Sequence, residues 1–198
     1  MPLVIKGSSS GQVTIDVPAA AGTNTITLPA STFTVPTSGG TIVKSSHAEL
    51  TAIVTGSGTF ADITGLEATI TPASTSNKIL LVATGSVGTA TTLSCAFRFT
   101  ENGTAVGIGD PSSVRDRASF KTQCSSLNAS QNFCGSCILS PNSTSALTYK
   151  VQIESDANGS YAVNRSFNLS ASSDSTHAVT ASYLHVFELD GSNVTIST

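Results

Sequence analysis

The chain is expected to be all-β: an antiparallel β-sandwich or barrel preceded by a short N-terminal segment of β-strands. Three observations predict this. Apolar side chains recur at every second position along the chain, turn signals fall about 8 to 12 residues apart, and no stretch of eleven residues holds the 3.6-residue period of a helix.

The first 45 residues stand apart in composition. A pattern of Thr, apolar, polar, apolar, Pro occurs three times, as Thr14-Ile-Asp-Val-Pro18, Thr25-Ile-Thr-Leu-Pro29 and Thr32-Phe-Thr-Val-Pro36. Each reads as a strand of four, stopped by a residue that cannot donate to a ladder. Two buried apolar side chains per strand contribute about 1.5 to 3 kcal/mol each. Ordering about thirty residues costs about 1 to 2 kcal/mol apiece, so the segment calls for a partner, and identical chains are the simplest one. Residues 1–45 are therefore taken as a segment that associates with other chains, and residues 46–198 as the sandwich that follows it.

In the head, Ser46-His-Ala-Glu-Leu-Thr-Ala-Ile53 is the one stretch where a turn of helix competes, and strand is the expectation there too. Ile63, Leu66, Ala68 and Ile70 mark the next strand, followed by Lys78-Ile-Leu-Leu-Val-Ala83. Phe97 and Phe99 flank Arg98, and the Asn102-Gly103 pair after them supplies the two positive φ values of a type I′ hairpin. Tyr149, Val151 and Ile153 alternate with Lys150 and Gln152, and Tyr183, His185 and Phe187 oppose Leu184, Val186 and Leu189.

Charged residues make up 11% of the chain, less than half the usual share of about 25%, and the formal charge is −3 with no run of one sign. Nothing here would condense on a phosphate backbone, so no nucleic-acid partner is expected. The longest apolar runs fall far short of the roughly 20 residues of a membrane-crossing helix, and no membrane association is expected. The opening Met1-Pro-Leu-Val-Ile-Lys6 places its Lys after a short apolar run, the reverse of a signal peptide.

Cys134-Gly-Ser-Cys137 is the sharpest local motif, because two thiols at i and i+3 can share a metal or close a disulfide. Cys95 and Cys124 are the only further thiols and form no second pair at ligand spacing, so structural thiols or late-forming disulfides are expected and neither metal nor cofactor. His47, His177 and His185 have no nucleophile in a strand-to-helix elbow beside them. Asp110 with Asp116, or Glu154 with Asp156, are the paired carboxylates that sugar cleavage would need. Turn acids of this kind are common in β-proteins, and no enzyme activity is expected. Asp110-Pro-Ser-Ser-Val-Arg-Asp-Arg117 is the densest charge cluster; it reads either as a solvated connection or as a loop that pairs with an anionic glycan.

Residues 11–43, with Thr-Ile-Asp-Val-Pro-Ala-Ala-Ala-Gly and Thr-Ile-Thr-Leu-Pro-Ala, resemble the repetitive segments of bacteriophage tail-fibre and related virion proteins. Residues 60–83, with Ala-Asp-Ile-Thr-Gly-Leu-Glu-Ala-Thr-Ile-Thr-Pro, are similar to the opening of the β-sandwich head that follows such segments, and Ser182-Tyr-Leu-His-Val-Phe-Glu-Leu189 suits its last strand. The resemblance implies a homotrimeric fibre in the virion, assembled in the host cytoplasm, with an antiparallel β-sandwich (jelly-roll-like) head. Residues 1–45 would be an attachment and trimerisation segment joining other virion proteins of tail, baseplate or capsid, and the head, residues 46–198, would meet a host surface glycan or protein. A capsid-decorating or baseplate trimer without receptor binding is the alternative, and a capsule-degrading enzyme a more distant one. For a fibre head, recognition is expected in loops at one end of the sandwich. The candidates are residues 110–131, 156–160 and 172–177, with Arg115, Asp116, Arg117, Tyr161 and His177 as the side chains that pair with or stack on sugar.

Overall fold

A computed structural model of the chain describes residues 3–6, 12–15, 41–168 and 178–196. The chain divides into two compact units, Met1–Pro36 and Thr37–Thr198. In the first, strands β1 (Leu3–Lys6) and β2 (Gln12–Ile15) pair antiparallel, with Leu3 opposite Ile15 and Lys6 opposite Gln12. Of the three Pro-terminated repeats, only Thr14 and Ile15 fall in β2; the second and third lie outside the described residues.

The second unit holds β3 (Ile42–Leu50), β4 (Val54–Ser57), β5 (Ala61–Ile70), β6 (Lys78–Thr89), β7 (Leu93–Glu101), β8 (Thr104–Val106), β9 (Phe120–Cys124), β10 (Gln131–Leu139), β11 (Leu147–Ser155), β12 (Ser160–Val163) and β13 (Ser182–Leu189). Strand β3 runs through the boundary expected between residues 45 and 46 and is paired with β13 along its length. The stretch expected as one long connection, residues 110–131, is interrupted by β9, whose Phe120 ring stacks on Phe97 at 5.1 Å.

One sheet runs β3-β13-β6, with β10 on the other edge of β6 and the short pair β12-β4 continuing past the end of β13. The other runs β5-β11-β7, with β8 and β9 sharing the far edge of β7. Setting aside the short β4, β8 and β12 leaves eight strands. In chain order these lie 1-8-3-6 in the first sheet and 2-7-4-5 in the second, every pairing antiparallel. That order is a jelly roll, two Greek keys closed over one core. It carries a geometric consequence: odd strands run one way and even strands the other, so the connections following β3, β6, β9 and β11 all gather at one end.

Alternation fills the core. Ile79, Leu81, Ala83, Leu184 and Val186 of the first sheet face Phe97, Phe99, Tyr149, Val151 and Ile153 of the second, and all are fully buried. Two breaks in the period are bulges. Ile63 and Leu66 are three apart yet both inside, because Gly65, at φ 90°, takes up the extra residue where β5 slips against β11 between Lys150 and Gln152. Likewise Glu188 and Leu189 are adjacent and both buried across the bulge between β13 and β3. The expected hairpin is present: Asn102 and Gly103 stand at φ 48° and 85° between Glu101 and Thr104.

Candidate functional site

All four connections at that end line one cavity of about 780 Å3. Thr55, Gly56 and Ser57 come from the link between β3 and β5, Ala90 from that between β6 and β7, and Leu127 from that between β9 and β10. Ser160, Tyr161, Arg165, Phe167 and Asn168 come from the link between β11 and β13.

Glycines set the floor. Tyr161 lies opposite Gly56 in the β12–β4 pair, and a Cβ at Gly56 would overlap the Tyr161 hydroxyl. On β6, a Cβ at Gly88 would sit 2.7 Å from the Arg165 carbonyl oxygen and 2.5 Å from the Phe167 nitrogen, so only glycine lets residues 165–167 lie flat on that strand. Just before them, Asn164 takes φ 72° and is fully buried. Its amide donates to the Leu50 and Ala52 carbonyls at 2.8 and 2.9 Å, and its side-chain oxygen accepts from Ser182 Oγ at 2.6 Å. These bonds turn the chain out of β12 and aim the next residue.

That residue is Arg165, 8% exposed. Nη1 donates to the Ser166 and Phe167 carbonyls at 3.1 Å each, which fixes the guanidinium plane. Nε is buried with no acceptor, and no carboxylate among the described residues pairs with the group. A buried cation without a counter-charge is costly, and the residue that carries it is among those lining the cavity. Phe167 is half-buried and Leu127 exposed, giving the hollow an apolar wall; the Asn168 side chain donates to Asn128 Oδ1 at 2.7 Å and ties that wall to the β9–β10 connection.

The residues expected from sequence separate. Tyr161 belongs to this cavity, although its ring is 3% exposed and burial pushes its hydroxyl pKa up. Arg115 and Asp116 line a different hollow, of about 450 Å3, with Lys121, Glu154 and Asp156 on the outer side of the second sheet. Burial raises the Glu154 pKa, and the charges of Asp116 and Asp156 add to it. Arg117 joins neither cavity: its Nε donates to the Gly109 carbonyl at 2.6 Å. Asp110 is exposed, and His177 lies outside the described residues. Arg165 was missed. The signal available was its isolation, since no acidic residue lies within eight positions of it on either side.

The thiols fall as β10 dictates. Cys134 and Cys137 are an odd number apart on one strand, so Cys134 points outward and Cys137 packs against the core, and the two cannot grip one ion together. Cys95 and Cys124 are buried. Along the outer side of β13, Tyr183, His185 and Phe187 stack in a row at 6.0 Å spacing, with His47 of β3 at 6.2 Å from His185. His185 is thus an outward-facing member of an aromatic row.

Fold and cavity together define a jelly-roll module with a hollow at one end of the sandwich. No family model matches the chain, and no curated protein matches it. Among solved structures, it is similar to one of infectious bursal disease virus, Gt strain, at 13% identity and TM-score 0.38, covering 98% of this chain and 53% of that one. It is also similar to a mutant VP2 protein of the same virus in derived T=1 particles, at 12% identity and TM-score 0.34, covering 93% and 44%. The chain spans about half the length of these structures. Likeness at this level assigns neither family nor role, and the jelly-roll assignment rests on the strand order itself.

Proposed function

We propose that this chain is a virion structural protein, a homotrimeric tail fibre whose jelly-roll head binds a sugar of the host surface during attachment. The observation that carries the reading is the convergence of all four connections at one end on one hollow, whose lining includes Thr55, Ser57 and Ser160, the apolar Phe167 and Leu127, and Arg165. Sugars are held in such places by hydroxyl and amide hydrogen bonds beside an apolar ring face. It acts by binding, without catalysis. Residues 1–45 serve attachment to the particle.

Self-association is supported by the outer face of the first sheet. Cross-strand rows there set Phe187 beside Leu80 and Ile138, and His185 beside Val82, a face more apolar than solvent alone requires. Three weak sugar sites on one particle also raise avidity by a factor of about 100 or more when the geometry allows simultaneous engagement.

The test is direct. Gold-labelled antibody against the head should mark tail fibres on purified particles, and soluble head should compete with particles for adsorption to host cells. Label confined to the capsid, or adsorption indifferent to excess head, would overturn the receptor-binding role. Light scattering should give about three times the 20.0 kDa chain mass; a monodisperse monomer at micromolar concentration would remove the trimer.

A further inference from the structure

We propose that His47 and His185 together form a binding site for a divalent transition-metal ion of the zinc class, a clamp between the first and last strands of the sandwich. It goes beyond the sugar-binding reading and does not rest on it.

Strand register makes the two imidazoles a pair. His185 of β13 lies directly opposite His47 of β3. Alternation turns both out of the core, since Ala48 and Leu50 on one strand and Leu184 and Val186 on the other pack inward. Side chains directly opposite on one face start about 4.5 to 5.5 Å apart at Cβ, and here the ring centroids stand 6.2 Å apart. With Zn–N bonds of about 2.0 to 2.1 Å, two imidazoles on one tetrahedral ion hold their centroids roughly 5 Å apart. Rotation about the side-chain bonds of His47, which is exposed on an edge strand, closes the difference. His185 is the fixed member, half-buried and held between the rings of Tyr183 and Phe187 at 6.0 Å from each.

The surroundings suit a cation. Register places Ser45, Glu49, Tyr183, Phe187 and Val82 around the pair on the outer face, so the one charge beside it is negative. Glu49 is kept there by the Tyr183 hydroxyl, which donates to its Oε1 at 3.2 Å. No third His, Cys, Asp or Glu among the described residues joins the pair in a cluster, so water completes the coordination shell. Two neutral nitrogens select zinc, nickel or copper over calcium or magnesium, which want oxygen. The position gives the ion a job. Among the described residues β3 is hydrogen-bonded along its length to β13 alone, and it is the strand through which residues 1–40 join the sandwich, so an ion shared by the pair fastens that strand in place.

The test titrates Zn2+, Ni2+ and Ca2+ into the full chain, first stripped with a chelator, at about pH 7.5 so that protons compete little for imidazole. Calorimetry gives stoichiometry and affinity, and NMR follows the histidine rings and the amide exchange of β3. One zinc per chain should bind, shift the His47 and His185 ring signals and slow exchange across residues 43–49; Ni2+ should do the same and Ca2+ should not. His47→Ala should weaken zinc at least tenfold, whereas His177→Ala should leave it unchanged. In chelator His47→Ala should melt within about 2 °C of the unaltered chain, because an exposed side chain contributes little to folding. Should that variant misfold, the ring shifts and exchange of the unaltered chain decide. Zinc affinity unchanged by His47→Ala, or shifts confined to His177 or Cys134, would overturn the site. Calcium binding as tightly as zinc would overturn the imidazole ligation in favour of carboxylates. Half a zinc per chain would overturn a site complete within one copy.

Discussion

Asn164 offers the clearest way to break the frame around the cavity. Replacing it by Ala removes three side-chain hydrogen bonds, to the Leu50 and Ala52 carbonyls and from Ser182 Oγ, all at a fully buried position. At about 1 kcal/mol net for each, that is about 3 kcal/mol. Alanine must also be held at φ 72°, which costs about 1 kcal/mol more than for a residue suited to the left-handed region. The expected loss is about 4 kcal/mol, or about 8 to 16 °C in Tm for a unit of this size. Asn164→Gly separates the two parts, because glycine accepts the positive φ and loses only the hydrogen bonds; it should be less damaging than Ala by about 1 kcal/mol. Urea and thermal unfolding of both variants measure this. A Tm loss under about 4 °C for Ala, or Ala no worse than Gly, would refute the account of Asn164 as the residue that turns the chain and anchors β12 to the β3 end.

Gly56→Ala should lower stability by about 1 to 3 kcal/mol and weaken sugar binding, because the added methyl displaces Tyr161; an unchanged urea midpoint would contradict it. At pH 8, a thiol reagent should modify Cys134 fast and the other three cysteines only with unfolding, since burial lifts Cys95 to about 12 and Cys137 to about 11 and raises Cys124 as well. The same shifts set an alkaline limit. Groups whose folded pKa is raised add stability that is complete below the unfolded value, about 8.5 for Cys, and is lost as pH rises toward the folded value. Tm should therefore hold between pH 7 and 8 and fall between about pH 9 and 11, with Tyr149 and Tyr161, both raised by burial, adding to the fall above about pH 10; a flat profile would count against it. Removing residues 1–40 should leave a cooperatively unfolding sandwich, whereas removing 1–50 deletes β3, exposes one edge of β13 and should abolish cooperative unfolding.

The sandwich was legible because its determinants are local. Tyr149, Val151 and Ile153 announce an inward face two residues at a time, and Asn102-Gly103 can close only a tight hairpin. Breaks in the pattern, such as Ile63 to Leu66, were visible as spacing but needed the opposite strand to be read as bulges. The site was far less legible. Charge density drew the eye to residues 110–117, yet a cluster of charges in a connection marks exposure, and Arg117 there makes a main-chain bond of its own. Arg165 matters because of what surrounds it in space, namely Gly88 beneath, a turn at Asn164 before it, and walls from three other connections. None of these is near it in sequence except Asn164. Among the described residues, Tyr161 is the one expected residue that lines the cavity, and its ring is packed into the core rather than exposed.

Because the walls of the hollow come from positions as far apart as Thr55, Ala90, Leu127 and Arg165, the hollow exists only when the whole sandwich is closed. No fragment and no partly unfolded form carries it, so the affinity of any ligand that enters it would be thermodynamically linked to global folding. A ligand at a hundred times its Kd should add about 2.7 kcal/mol to the unfolding free energy, about 5 to 11 °C in Tm. Melting curves therefore become a test of the proposed sugar-binding role without a labelled ligand or a host, and the saccharide that moves the curve most would name the chemistry the hollow takes.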